Sequence, residues 1–458
     1  MKKALKIIIC VFVAVVVAVL AVFSPYIFSF VNSSDMAGGK ALLKEPVKIE
    51  ISDGKLSDAD SGWFNYYSVE YTSDCYIKGT LLYSAGVKEK TEEFFLEPST
   101  EENAVFYSFV DNALKGGRGN KVKSITFEML TEGKDGITVC GVSAFNREIP
   151  EQELYIQSGE YKLGIDLLWG GALSYLEDFD SNVEAVNVDG IIKVDSNASE
   201  RYNAEVVNDS VNLINRYDTG RLVQQSYYGT LEYDYGVFMD NDWRYNPVQG
   251  GNQFNDASKI VDLRINENSI YIKCRPLDWA KEKEFITPSY MEATYSIEND
   301  VVHAECRFVD FSGYPEAESD QEIPAFYCIE PFNNFVYYKG DKPWTNESLA
   351  SEPDLIFWPD AGYPKFRSQE NWAAFTGEFE DSFGIGLYVP DQTEFLAGIF
   401  NREQTTNEDP SKDGATSYIA VTKTRTFKSY EPFSYEYYLA TGNSAEIREI
   451  FKAIDNNS

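Results

Sequence analysis

The 458-residue chain contains one histidine, five methionines and six cysteines. These low numbers restrict the kinds of catalytic and metal site that it can form. With His303 as the single histidine and with no CxxC pair, the chain lacks the ligand spacings of a zinc site. It also has no serine nucleophile motif, phosphate-binding loop or dinucleotide fingerprint. Its 40 Lys and Arg against 73 Asp and Glu give a net charge of −33. That charge argues against nucleic acid or an anionic lipid surface as a partner.

One long apolar segment occurs, at the N-terminus. Three lysines among the first six residues precede a charge-free run over residues 7–34. Its length exceeds the roughly 7–15 residues of a signal-peptide core and approaches the roughly 20 of a spanning helix. The basic flank predicts a cytoplasmic N-terminus and an extracellular body. We therefore expect residues 1–34 to form a single-pass cell-membrane anchor, with a cleaved secretion signal as the alternative, and residues 35–45 to be a linker.

Cysteine usage leaves two interpretations open. Beyond Cys10 the chain has five cysteines, an odd number for an exported protein. A disulfide between Cys75 and Cys140 is the pairing we expect if one forms. Buried free thiols are the alternative.

The composition favours strands over helices, because aromatics make up 15% of the chain, with 31 Tyr and 30 Phe. Short alternating segments separated by turns predict a β-sandwich or jelly-roll accessory domain over residues 46–150. Residues 151–458 are also strand-rich until a predicted helix at 444–454, where Asn443 and Glu446 suit a capping box. We expect an all-β protein with two domains after the N-terminal membrane helix.

The segment at residues 216–255 combines aromatic rings with amides, carboxylates and glycines. Rings give flat apolar platforms, while amides and carboxylates give paired hydrogen bonds, and sugars need both. The segment therefore favours a ligand site; a long, well-packed loop is the alternative. Its polar members are Asp218, Arg221, Gln224, Gln225, Asp240, Asp242, Asn246, Gln249 and Asn252.

Residues 161–176, YKLGIDLLWGGALSYL, resemble the opening hairpin of the galactose-mutarotase-like supersandwich. The resemblance implies a large antiparallel β supersandwich over about residues 152–442. Similar proteins use that scaffold for glycoside hydrolysis, polysaccharide cleavage or sugar binding. Mutarotases use two histidines and a glutamate, and this chain has only His303, so mutarotation by that route is excluded. The segments DTGR at 218–221 and NPVQGG at 246–251 also resemble a pattern found in exported bacterial proteins.

Glycoside hydrolysis needs two carboxyl groups roughly 5–10 Å apart, one with a raised pKa. Glu322 borders an apolar strand, which would raise its pKa and suit a general acid, and Asp218 is the candidate base or clamp. The alternative for Glu322, and for Glu330, is an exposed strand end or an ion pair. The spacing of Asp218 and Arg221 suits an ion pair that either clamps a sugar or holds the loop together.

Three tryptophans, Trp243, Trp279 and Trp344, stand in polar sequence contexts that favour stacking platforms over core positions. His303 shares a strand face with Glu305 and Arg307, so a structural histidine is its alternative role. Oxygen-rich residues around 240–256 suit calcium, although an acidic turn is the simpler interpretation and no cofactor is required. The residues expected to bind substrate are Arg221, Gln224, Trp243, Asn246, Gln249, Arg275, Trp279, His303 and Trp344.

These features predict a membrane-anchored extracellular protein that cleaves a glycosidic bond in a polysaccharide by carboxylate chemistry. A lyase would instead need a base and a group to neutralise a uronate, for which Arg221 or Arg275 could serve. The competing function is a non-catalytic glycan-binding protein that docks the cell to polysaccharide. A structural protein of the envelope is the third interpretation.

Overall fold

The computed structural model describes residues 47–49, 51–52, 55–56 and 63–456, except 180–182, 209, 283–284, 299–300, 346, 358–361, 380 and 406–408. The chain divides between Pro150 and Glu151 into two compact units. The predicted anchor and linker lie outside the described residues. Within the described ranges, no helix is long and apolar enough to cross a membrane.

Within the described ranges, the first unit consists of antiparallel strands and one short 3-10 turn, Ala113–Lys115. Its four-stranded sheet has the order β1-β9-β4-β7, its three-stranded sheet the order β6-β5-β8, and β2 pairs with β3. The Phe94 ring on β6 lies 5.8 Å from Tyr67 on β4 and 5.2 Å from Phe106 on β7. The two larger sheets therefore pack face to face as a sandwich. The strands are β1 (Val47–Ile49), β2 (Ile51–Ser52), β3 (Lys55–Leu56), β4 (Tyr66–Ser73), β5 (Ile77–Ala85), β6 (Lys88–Leu96), β7 (Ser99–Phe109), β8 (Lys121–Met129) and β9 (Ile137–Phe145).

The second unit contains 24 of the assigned strands, two α-helices and two 3-10 turns, Leu167–Trp169 and Pro410–Lys412. The strands up to β22 are β10 (Glu153–Ser158), β11 (Tyr161–Asp166), β12 (Ala172–Asp178), β13 (Glu184–Val188), β14 (Ile191–Asp195), β15 (Glu205–Asn208), β16 (Val223–Ser226), β17 (Gly236–Phe238), β18 (Asn241–Trp243), β19 (Pro247–Val248), β20 (Lys259–Ile265), β21 (Ser269–Arg275) and β22 (Leu277–Asp278). The later strands are β23 (Ser289–Glu298), β24 (Val301–Asp310), β25 (Ala317–Ile329), β26 (Asn334–Tyr337), β27 (Ala350–Pro353), β28 (Lys365–Arg367), β29 (Trp372–Thr376), β30 (Gly384–Tyr388), β31 (Glu394–Phe400), β32 (Thr416–Phe427) and β33 (Phe433–Gly442). The helices are α1 (Ala198–Tyr202) and α2 (Ser444–Asp455).

Two large antiparallel sheets form the body of this unit. The ten-stranded sheet has the order β10-β11-β12-β16-β25-β32-β31-β28, with β19 and β22 attached through β16. The nine-stranded sheet has the order β20-β21-β23-β24-β33-β30-β29-β26-β27. Tyr227, after β16, stacks on Phe308 of β24 at 4.1 Å, and the Tyr161 and Thr441 hydroxyls lie 2.6 Å apart. The sheets therefore pack together, and the prediction of an all-β protein is confirmed.

A register shift in β25 decides which face of the ten-stranded sheet carries Glu322. Tyr327 lies opposite Tyr418 on β32, whereas Glu322 lies opposite Thr422, so the pairing slips between Glu322 and Ala325. Pro324 lies within this register shift. A proline has no N–H to donate to the hydrogen-bond ladder of a sheet, so inside a sheet it is confined to such bulges. The extra residue brings Glu322 to the same face as Tyr327 and Tyr418.

The C-terminal helix α2 is confirmed at Ser444–Asp455, one residue longer than predicted. The Asn443 side chain accepts from the N–H groups of Ala445 and Glu446, and the Glu446 carboxylate accepts from the Asn443 N–H. Both halves of the predicted capping box are thus formed.

The five cysteines in the described ranges are free thiols. Cys75, Cys140, Cys274, Cys306 and Cys328 form no disulfide. The pairing expected for Cys75 with Cys140 is therefore wrong, because Cys75 is buried while Cys140 is exposed on β9. Cys10 lies outside the described residues.

Candidate functional site

The carboxyl group of Glu322 is the centre of the candidate site. In the sheet register Glu322 lies opposite Ser226 of β16 and Thr422 of β32. The Tyr418 hydroxyl donates a hydrogen bond of 2.6 Å to its Oε1. Burial raises the pKa of the Glu322 carboxyl, and hydrogen bonds from Tyr418, Tyr228 and Ser226 offset part of that rise. Glu322 therefore keeps its proton to a higher pH than an ordinary glutamate, which suits a general acid.

Tyr327 connects Glu322 with Arg221 and Asp218. Its ring centre lies 4.6 Å from that of Tyr418 and 5.2 Å from the guanidinium carbon of Arg221. Burial raises the pKa of the Tyr327 hydroxyl; the charges of Glu322 and Asp218 raise it further, while Arg221 lowers it. Arg221 thus lies beside the Tyr327 ring, and Asp218 stands three residues before Arg221 in the same loop.

A row of aromatic rings leads from the Glu322 carboxyl to the loop that carries Arg221. The Trp279 and Phe238 ring centres lie 5.8 Å apart, Phe238 and Trp243 5.1 Å, and Trp243 and Tyr228 6.5 Å. Tyr228 hydrogen-bonds to Glu322 at the end of the row. We call Phe238, Trp243 and Trp279 the aromatic wall. Both tryptophans are half-buried, so part of each ring reaches solvent.

The loop at residues 218–221 completes a continuous series of contacts. The series runs from Glu322 through the aromatic wall to this loop and returns through Arg221 and Tyr327, and we call it the circuit of contacts. A Cβ atom at Gly220 would lie 2.6 Å from Cη2 of Trp279, so the ring packs directly on the glycine backbone. The Asp218 carboxylate accepts a hydrogen bond of 2.9 Å from the Gly220 N–H. Asp218 therefore caps its own turn, and within the described part of the chain it forms no salt bridge with Arg221. The predicted ion pair is absent because that turn uses the carboxylate locally.

Gln224 supports this loop instead of facing a substrate. Its Nε2 donates to the carbonyl groups of Thr219 at 2.9 Å and Arg221 at 2.5 Å, and its Oε1 accepts from the Gly250 N–H at 2.7 Å. These bonds occupy the amide, so the predicted role in substrate binding is corrected to a positioning role. The adjacent Leu222 has φ of 79°, a left-handed conformation that costs a non-glycine residue about 1–3 kcal/mol.

Asn246 and Gln249 are buried and use their amides internally, which corrects the substrate contacts predicted for them. The Asn246 Oδ1 accepts from the Trp243 indole N–H at 3.0 Å, and its Nδ2 donates to the Tyr227 carbonyl at 2.8 Å. Gln249 Nε2 lies 3.3 Å from the Tyr295 hydroxyl, which belongs to the other large sheet. Asn246 thus fixes the orientation of Trp243, and Gln249 joins the two sheets.

Three further residues predicted to bind substrate either lie away from Glu322 or already use their side chains in contacts within the protein. The Arg275 guanidinium donates to the Thr287 carbonyl at 3.3 Å and is buried. His303 lies on β24 of the nine-stranded sheet, with Nε2 2.8 Å from the Glu436 carboxylate. Trp344 packs against the core beneath α2. Arg275 is held at its strand end, and His303 takes the structural role weighed as its alternative.

The remaining sequence candidates have local explanations. Glu330 is paired with Arg402, whose Nε lies 3.2 Å from Oε1, so the ion-pair alternative applies to it. In the segment proposed for calcium, Asn252 donates to the Lys281 carbonyl at 2.9 Å. Asp240 lies in an exposed turn and Asp242 at an exposed position on β18. Across the described ranges, no group of three or more His, Cys, Asp or Glu residues is placed to hold a metal ion.

The sequence did not single out Tyr418 or Tyr327 for the site, nor Gln321. The Gln321 Oε1 accepts from the Tyr228 N–H at 2.7 Å, and its Nε2 donates to the Tyr228 carbonyl at 2.9 Å. This clasp fixes the backbone that carries the Tyr228 phenol. The sequence signal that could have indicated Gln321 is its position next to Glu322. Tyr418 has no such signal, because it belongs to a strand far along the chain.

Comparisons with known proteins bear on the fold. No protein-family model matches the chain, and no curated protein does. Among solved structures, a protein provisionally described as an aldose 1-epimerase from Escherichia coli K12 has 9% identity and a TM-score of 0.36, covering 64% of this chain and 99% of that one. The GH36 α-galactosidase AgaB from Geobacillus stearothermophilus has 11% identity and a TM-score of 0.34, covering 64% and 40%. A protein provisionally described as a mutarotase, from Salmonella typhimurium, has 9% identity and a TM-score of 0.30, covering 64% and 90%.

The predicted resemblance to mutarotase-like sandwiches is thereby confirmed as a weak likeness of fold. The match spans less than half of the α-galactosidase chain. At these TM-scores the likeness carries no information about activity.

Proposed function

We propose that this protein binds a polysaccharide along the aromatic wall and cleaves a glycosidic bond beside Glu322. The observation that carries the proposal is the position of Glu322. It is a half-buried carboxyl with a raised pKa, at the end of a row of rings that includes two half-buried tryptophans. Exposed indole faces are platforms for sugar rings, and a protonated carboxyl is what a glycosidic leaving group needs.

In this proposal Glu322 donates its proton to the glycosidic oxygen, and Asp218 is the second carboxylate. Asp218 lies on the loop of Arg221, whose guanidinium carbon is 5.2 Å from the Tyr327 ring centre. That ring is 4.6 Å from the ring of Tyr418, which donates to Glu322. General acid catalysis contributes about 10²–10⁴-fold to the rate of such reactions. Trp243 and Trp279 hold the sugars, and Asn246 orients the Trp243 ring.

We further propose that residues 1–34 anchor the protein in the cell membrane and that the two units lie outside the cell. The support is the charge-free run at residues 7–34 behind three lysines. A polysaccharide partner suits that location, because the site would face the medium.

The second candidate function is glycan binding without cleavage. Its support is that the Glu322 hydrogen bonds come from the protein itself, from Tyr418, Tyr228 and Ser226. A carboxyl satisfied in this way can serve to orient tyrosines. The two functions differ in whether bound polysaccharide is shortened.

The test uses the purified full chain in a detergent that has no sugar headgroup. The protein is incubated with an array of plant, microbial and host polysaccharides, and both retention and released oligosaccharides are recorded. Cleavage predicts products that Glu322→Gln abolishes while retention persists. Glu318→Gln, an exposed position on the same strand, is the matched control and keeps activity. Retention without products establishes the binding function, and neither signal across the array refutes both.

A further inference from the structure

The Arg221 guanidinium is buried without a charged partner. The residue is 9% exposed, and its Nε has no hydrogen-bond acceptor among the described residues. One terminal nitrogen reaches the Gly414 carbonyl at a long 3.3 Å. Its other neighbours are Tyr327, to whose hydroxyl it also hydrogen-bonds, and Phe400. The ring centres of these two residues lie 5.2 and 5.4 Å from the guanidinium carbon.

A buried ion pair of the second unit, Arg448 with Glu370, shows what a matched arginine looks like. Arg448 donates from Nε and from a terminal nitrogen to the two oxygens of Glu370, at 3.0 and 2.6 Å. Glu370 is fully buried, so that pair is self-contained. On Arg221 the fully buried Nε has no acceptor, a terminal nitrogen donates to the Gly414 carbonyl, and no carboxylate lies within salt-bridge distance in the described part of the chain. A buried charge without a partner is costly to keep, so its retention needs a reason.

We infer that the Arg221 guanidinium receives a carboxylate of the ligand, so that the polysaccharide taken by the proposed site contains uronate residues. This inference rests on the proposed function, because Arg221 lies on the circuit of contacts that includes Glu322 and the aromatic wall. A guanidinium edge is planar and offers parallel donors, which match the two oxygens of a carboxylate. A single guanidinium also matches the single charge of one uronate.

The net charge of −33 makes this local pairing necessary. Such a protein repels a polyanion at long range, so general attraction cannot hold an acidic polymer on its surface. Recognition has to come from a short-range contact that is shielded from water. Added salt screens the long-range repulsion more than the buried contact, so retention of a uronate polymer holds or rises with moderate salt.

The experiment compares retention of the full chain on polygalacturonate and alginate with retention on the carboxyl-reduced form of each polymer. The reduced polymers have the same linkages without the charge. We expect native polymers to bind about ten- to hundred-fold more tightly, the range for a hydrogen bond to a charged group. Arg221→Lys, which keeps the charge without the planar edge, loses most of that preference, and Arg221→Met loses all of it. Dextran sulfate, a sulfated neutral polymer, is retained no better than the reduced forms.

Folding is checked by the midpoint of thermal unfolding of Arg221→Met, which does not fall, because the variant removes an unpaired buried charge. A drop of several degrees would mark Arg221 as structural and overturn the inference. Equal retention or cleavage of native and reduced polymers would also overturn it while leaving the proposed function intact. Equal retention of dextran sulfate would overturn the carboxylate assignment. No retention or cleavage of any polymer would overturn both the inference and the proposed function.

Discussion

The Tyr418 hydroxyl donates a hydrogen bond of 2.6 Å to Glu322, and the two residues lie on neighbouring strands of one sheet. The bond stabilises the charged form of the carboxyl, so it opposes the rise in pKa that burial causes. The ionisation of Glu322 is therefore set by two opposing effects, one of which a single substitution can remove.

Tyr418→Phe should move the pH dependence of cleavage. Without the hydroxyl the pKa of Glu322 rises further, so its proton is kept to higher pH. Because a general acid loses activity as the pH rises through its pKa, we expect the alkaline limb of kcat/KM to shift upward by about one pH unit. The profile of released sugar against pH measures the shift. Tyr271→Phe, in the other sheet, should leave the limb in place, and a downward shift for Tyr418→Phe would contradict the role given to Glu322.

Trp243→Ala should weaken glycan retention by at least about tenfold, because it removes a stacking platform. Trp344→Ala is the matched control. That ring packs beneath α2, so the variant should lose about 2–3 kcal/mol of unfolding free energy and keep its retention. Affinity electrophoresis and chemical denaturation together separate the two effects. Equal retention of both variants and the parent would remove the aromatic wall from the site.

Gly220→Ala should displace Trp279, because the new methyl group would lie 2.6 Å from Cη2 of the indole. We expect retention to fall to the level of Trp279→Ala. The double variant should be no weaker than Trp279→Ala alone, since both changes act through one ring. Additive losses in this double-mutant cycle would mean that Gly220 acts elsewhere.

Glu292 should make the fold sensitive to acid. Burial raises the pKa of this carboxyl, but the charges of Lys273 and Arg307 and a hydrogen bond from Tyr271 lower it to about 2. A lowered carboxyl pKa stabilises the fold above the unfolded value of about 4.5, and that stability is lost as the pH falls toward 2. Glu292→Gln should cost up to about 3 kcal/mol at pH 7 and flatten the loss of stability between pH 4.5 and 2.

Urea unfolding at several pH values measures the effect of Glu292→Gln. Glu305→Gln, at an exposed position on the adjoining strand, is the control and should leave the acid limb unchanged. If the unfolding free energy of Glu292→Gln falls as steeply between pH 4.5 and 2 as that of the parent, other carboxylates cause the acid sensitivity.

Local signals in the sequence predicted the parts of the fold that depend on near neighbours. The capping box at Asn443 and Glu446 lies within four residues, and alternation along a strand repeats every two. The apolar setting of Glu322 was also local, because Ile323 and Pro324 follow it directly. These features did not depend on knowing which strands pair.

The contacts that define the site could not be predicted in this way. Tyr418 reaches Glu322 across 96 positions of the chain, and a slip of one residue in the register would turn it to the other face. The amides of Gln224 and Asn246 look the same in sequence whether they bind a sugar or a neighbouring backbone. Only the structure assigns them to the scaffold that holds Arg221 and Trp243.

The single exposed thiol among the five described cysteines offers an experimental handle. Cys140 lies at the surface of β9, whereas the other four are buried. Among the described cysteines, a maleimide dye should therefore label Cys140 alone and leave the Glu322 region, in the second unit, chemically untouched. Fluorescence anisotropy of that dye would then report glycan capture directly, without immobilising either the protein or the polymer.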